Sequence, residues 1–147
     1  MPTASKLIGA ILFGAMGLAI AWLIVPTLEG ADSRKPWIPI FGAVGLWAGW
    51  SIMGRGTRQG YGPAVGIGLT AAAALAFVGL FVMSFWRMWA RAMDGGFGAD
   101  PVGAVVSIFT NIADYAVQLV TPQIGLILVV GGLLGGIVSE FVGRRFR

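Results

Sequence analysis

The chain has no cysteine and no histidine. Without cysteine there is no disulfide frame, thiol nucleophile or thiolate metal site. Without histidine there is no imidazole to serve as general base or as haem or zinc ligand. Charge is scarce too. Asp, Glu, Lys and Arg make up 11% of the 147 residues, where a soluble domain carries roughly 25%. The centres of the long apolar runs hold no ionisable residue. Membrane catalysts and coupled transporters usually place such residues there despite the cost. The sequence therefore nominates no catalytic, cofactor-binding or metal-ligating residue, and the expectation is a protein that is not an enzyme. Gly60-Tyr61-Gly62 and Gly66-x-Gly68 lack the preceding strand and the Walker spacing of a phosphate loop. Basic residues interleaved with aromatics on a soluble surface are missing as well, which speaks against nucleic acid as a partner.

What is present is hydrophobic. The mean hydropathy is +0.86, and 57% of residues are hydrophobic, collected in blocks as a bilayer demands. The chain reads as one all-α membrane domain, 1–147, with four spans at about 6–26, 37–53, 63–88 and 122–143. Leu7 to Val25 is an uncharged run behind Lys6, stopped by Pro26. Its Ala19-Ile20-Ala21 triplet fits a signal-peptide cleavage pattern, but Trp22 to Val25 continue the apolar run, which favours a retained helix. Trp37 to Met53 is a short run, near the lower limit for a span. Pro63 suits the first turn of the third helix, which runs on past Trp86 to Arg87 and Arg91. Phe85, Trp86 and Trp89 resemble an interfacial aromatic belt.

The segment 101–120 is different in kind. Asp100-Pro101 reads as an N-cap followed by proline at the first helical position. Ser107, Thr110, Asn111, Asp114 and Gln118 then recur at three- and four-residue spacing, which predicts an amphipathic helix that is interfacial or packs partly buried. Thr121-Pro122 repeats the cap-then-proline start. The last run, Gln123 to Val142, ends in Glu140, one turn before Arg144. That spacing suits an i,i+4 pair, and a carboxylate reaching into the bundle is the alternative.

Glycine, at 24 residues, supplies the helix-contact signals. Gly45 and Gly49 form one small-xxx-small pair. Gly131 with Gly135 and Gly132 with Gly136 form two more, overlapping at the centre of the last run. Orientation follows from the basic residues. Four spans put Lys6, Arg55, Arg58, Arg144, Arg145 and Arg147 on one side, and Arg34, Lys35, Arg87 and Arg91 on the other. The positive-inside rule assigns the first side, with both termini, to the cytoplasm. A fifth span at 101–120 would send the arginine tail outside. The expected location is the bacterial inner membrane. Arg55 and Arg58 are read as topology determinants, and also as candidate anion-attracting groups, since guanidinium suits oxyanions.

The opening M-P-T-A-S-K-L, the central G-W-S-I-M-G and G-Y-G-P-A-V-G-I-G-L-T, and the closing G-G-L-L-G-G-I-V-S-E with R-R-F-R together resemble the TrgA family of small alphaproteobacterial membrane proteins associated with tellurite resistance. The likeness extends over nearly the full length. It implies an integral membrane protein that raises tellurite tolerance, without an agreed catalytic mechanism. Gly49, Trp50, Met53, Gly54, Gly60, Tyr61, Gly131, Gly132 and Glu140 are the matching positions. The competing expectation is an accessory or assembly subunit of a larger respiratory or photosynthetic membrane complex. Behind it stands a small-solute transporter, which would need a polar cavity along the 107–118 stripe. Beyond the lipid bilayer, the expected partners are a membrane-protein complex or further copies of the chain.

Overall fold

The computed structural model describes residues 4–27, 37–53, 60–96, 98, 100–119 and 121–145. Among them there are helices and junctions but no strand. Helix α1 is Ala4–Ile24. It ends before Pro26, which cannot donate the next backbone hydrogen bond, and the chain tightens into a 3-10 turn at Val25–Thr27. Helix α2 is Trp37–Ala48 and passes into a π turn at Gly49–Met53. Helix α3 is Tyr61–Met93, α4 is Pro101–Leu119 and α5 is Pro122–Arg145.

The ends of these helices follow from local chemistry. Gly95 has φ of 75° and closes α3, where its N–H returns to the Ala92 carbonyl at 3.1 Å and the Gly96 N–H to Arg91 at 2.9 Å. This glycine-dependent Schellman closure satisfies the last carbonyls of the helix. Asp100 caps α4 by accepting the Val102 N–H at 3.1 Å, with Pro101 between them. At the start of α5 the Thr121 carbonyl accepts the N–H groups of Ile124 and Gly125, at 3.0 and 3.1 Å.

Glycine-lined seams set the helix arrangement. Along α1 and α2, a Cβ built on Gly17 would strike the Phe41 carbonyl, one on Gly45 the Phe13 carbonyl and one on Gly49 the Gly9 carbonyl. The numbers rise on one helix as they fall on the other, so α1 and α2 are antiparallel. Between α3 and α5, a Cβ on Gly68 would meet the Gly132 carbonyl and one on Gly136 the Ala64 carbonyl. That pair is antiparallel too. The two overlapping glycine pairs of α5 face different helices. Gly132 and Gly136 face α3, while a Cβ on Gly131 would meet the Met16 sulfur and one on Gly135 would come within 2.7 Å of the Phe13 ring. Phe41 packs over Gly79, which joins α2 to α3. The core therefore lies between α1, α2, α3 and α5, around Phe13, Trp37, Phe41, Leu75 and Met83.

Helices α1 (from Lys6), α3 and α5 are long and apolar enough to cross a membrane, a composition consistent with a membrane location. Trp37–Met53 and Pro101–Val117 are shorter apolar helices. At 33 residues, α3 is about 50 Å long, well beyond a hydrocarbon core of about 30 Å. Helix α4 packs against α3, with the Arg87 guanidinium 5.4 Å from the Tyr115 ring centroid. The polar stripe on α4 is divided by this packing. Ser107 and Asn111 are buried, together with Tyr115, while Thr110 and Asp114 are exposed. The Gln118 side chain lies outside the described residues. Val102, Val105, Val106, Phe109 and Val117 form the exposed remainder. The stripe is thus not a single solvated face: half of it is turned into the protein, and valines cover much of the outside.

A methyl group at Gly68 forces backbone apart, which no side-chain rotation relieves. Gly68→Ala is expected to destabilise the detergent-solubilised protein by about 1–3 kcal/mol. Gly66→Ala, where an added Cβ meets nothing within 4 Å, should leave the thermal unfolding midpoint near that of the parent.

Candidate functional site

Among the described residues, a polar constellation lies where the C-terminal part of α5 meets the N-terminus of α3. Glu140 is fully buried. It lies four residues beyond Gly136 and eight beyond Gly132, on the stripe of α5 that faces α3. Close approach at the two glycines carries its carboxylate to the first turn of α3. There Oε1 accepts the Gly60 N–H at 3.1 Å and the Arg144 Nε–H at 2.8 Å.

Gly60 is the N-cap of α3, with φ of 110°. That conformation is costly for any residue with a side chain. It aims the N–H at the carboxylate while the Gly60 carbonyl accepts the Ala64 N–H at 3.0 Å. A negative group at a helix N-terminus also answers the positive end of the helix dipole. The Arg144 guanidinium lies 4.9 Å from the centroid of the Tyr61 ring, a cation–π arrangement. The Arg144 side chain is about half exposed (52%) although its carboxylate partner is wholly buried. The pair is therefore asymmetric, with a desolvated anion held by a cation that keeps contact with the exterior. Met53, which closes the π turn, is buried against Gly9 at this same end of α1.

Both readings of Glu140 hold together: it pairs with Arg144 and it reaches into the bundle. The bond to Gly60 was not anticipated from the sequence; the Gly132–Gly136–Glu140 spacing places the carboxylate on the glycine face of α5 without naming its partner. Gly45, Gly49, Gly132 and Gly136 stand at backbone-to-backbone contacts, whereas Gly131 and Gly135 stand against side chains of α1. Arg55 and Arg58 lie outside the described residues. Ser84 Oγ, Asn111 Nδ2 and Ser139 Oγ are buried too, and have no hydrogen-bond partner among the described residues.

No protein-family model, no curated protein and no solved structure matches the chain.

Removal of the carboxylate strands the Gly60 N–H and the guanidinium together. Glu140→Ala is expected to lower stability by about 1–3 kcal/mol, since a buried donor loses its acceptor. Glu140→Gln keeps an acceptor and should lose less. Thermal unfolding of the two variants in one detergent checks the order, and equal losses would count against the hydrogen bond to Gly60.

Proposed function

We propose that this chain is a four-span protein of the bacterial inner membrane that supports tolerance to tellurite without catalysing a reaction itself. The observation that carries the reading is convergence. Gly60, Tyr61 and Glu140, three of the positions shared with the TrgA pattern, meet around one ion pair although Gly60 and Glu140 are 80 residues apart in sequence. A resemblance resting only on the glycine and aromatic content of membrane helices gives no reason for those positions to assemble.

Helix direction supports the four-span count. Helix α5 runs antiparallel to both α1 and α3, so the start of α1 and the end of α5 share one side. Five crossings would make α5 parallel to α3. In this reading α4 flanks α3 and does not cross. Both termini and the segment from Met53 to Gly60 face the cytoplasm, where Arg55, Arg58, Arg144 and Arg145 concentrate positive charge. The same charge holds the topology and raises the local concentration of oxyanions. The second reading, an accessory subunit of a larger membrane complex, is favoured by the exposed valine and phenylalanine face of α4.

Since the chain has no cysteine, single cysteines report topology without background. Ser5→Cys and Arg145→Cys are expected to react with a membrane-impermeant thiol reagent only after the cytoplasmic side is opened. Asp94→Cys should react in intact cells with the outer membrane permeabilised. Labelling of all three from one side would overturn the four-span arrangement.

A strain lacking the chain is expected to lose tellurite tolerance while its peroxide tolerance stays unchanged. The parent gene should restore tolerance, whereas Arg55→Ala combined with Arg58→Ala should not, although it still inserts. Equal sensitivity to both stresses would favour the subunit reading, and full rescue by the double variant would remove the anion-attracting role of the two arginines.

A further inference from the structure

Away from the glycine seams the helices part around a cavity of about 430 Å³. It is bounded by Ile20 of α1, Phe41 of α2, Leu75 and Leu80 of α3, Ala116 of α4 and Gly125 of α5. Apart from Thr121, the lining side chains are apolar. Gly125 and Thr121 are exposed, so the cavity opens to the surroundings beside the first turns of α5. A Cβ built on Gly125 meets nothing within 4 Å, in contrast to Gly132 and Gly136 on the same helix. The space is therefore local to this end of the molecule, where α4 hands over to α5.

Two kinds of content are unsuited to it. Water needs two to four polar partners in a buried site, and this lining does not offer them. A void of this size left empty forfeits the dispersion contacts of its whole lining. Apolar cavities take up apolar molecules instead, and the volume falls within the range of about 300–1,000 Å³ typical of ligand pockets. The surroundings narrow the choice. The α5 wall runs from Thr121 to Leu128, about 10 Å along the helix axis. The opening beside the exposed Thr121 and Gly125 joins this apolar space to the surroundings of the helices, where in a bilayer the molecules at hand are lipid chains. It sits at the end of the molecule opposite the Glu140–Arg144 pair.

We infer that the cavity is a binding site for one acyl chain of a membrane phospholipid, drawn from the leaflet opposite the arginine-rich end. The chain enters beside Gly125 and completes the packing between α3, α4 and α5. This inference rests on the membrane reading given above, and the two can fail separately.

The test is native mass spectrometry of the full chain, purified in mild detergent and titrated with palmitoyl-oleoyl-phosphatidylglycerol. One phospholipid is expected to stay bound through detergent exchange. Gly125→Phe fills the cavity from α5 and should lose most of that retention. Ala116→Phe fills it from α4, should do the same, and stands alone if the first variant does not fold. Gly66→Phe, also in open space but outside the lining, should retain the lipid. Equal retention in filled and parent proteins overturns the site, as does a parent without retained phospholipid or with a different apolar molecule in its place. Extraction of cell membranes at alkaline pH separates the two readings. A chain released from the membrane defeats the membrane reading, whereas a chain that stays but keeps no phospholipid defeats only this site.

Discussion

Backbone held against backbone is the constraint on which the rest of this structure depends. In an apolar environment, helices gain little from hiding hydrophobic side chains, because their surroundings are equally apolar. What remains is dispersion and close fit. At Gly45 and Gly49 the α2 backbone lies on that of α1, and at Gly68 and Gly136 the backbones of α3 and α5 meet in the same way. Each contact fixes register as well as distance, since a shift of one residue would turn a Cα hydrogen away and bring a side chain into its place. The ion pair between Glu140 and Arg144 depends on that register, because its buried carboxylate reaches Gly60 only when Gly132 and Gly136 are seated.

Helix α5 illustrates how a simple pattern can hold two instructions. Its four central glycines read as two overlapping pairs of one motif. In the bundle they are divided between partners, Gly132 and Gly136 toward α3, and Gly131 and Gly135 toward Met16 and Phe13 of α1. The two stripes lie side by side and make α5 the wedge between its neighbours. Ser139 and Glu140 continue the stripes by one further turn. Glu140 finds partners in Gly60 and Arg144, while the Ser139 hydroxyl is buried without one.

Much of this architecture was legible in the chain. Apolar runs bounded by prolines marked helices whose ends fall close to the structural ones, because Pro26, Pro101 and Pro122 act locally through a missing donor and a fixed φ. The glycine spacing marked where helices touch. Partner choice was not legible, because a glycine specifies close approach but not which backbone approaches. The polar stripe of α4 was legible as a pattern, with partly buried packing among the expectations, but which of its residues turn inward was not. Ser107 and Asn111 lie on the face that α3 covers, and Thr110 and Asp114 lie on the open side. Periodicity fixes which residues share a side of a helix, and only the neighbouring helix decides which side is inside. The bond from Gly60 to Glu140 joins distant parts of the sequence, so no local signal contained it.

The seams also differ in when they can form. Helix α2 leaves the ribosome soon after α1, so the first pair of helices can close while most of the chain is still unmade. Helix α3 exposes its own glycine face from the moment it is synthesised, yet the matching face belongs to the last helix, beyond the turn at Asp94 and the whole of α4. During synthesis, α3 must therefore wait with Gly68 uncovered, and the Gly60 N–H reaches its carboxylate only once α5 has been made. A chain cut before α5 therefore keeps its first helix pair and leaves the glycine face of α3 uncovered.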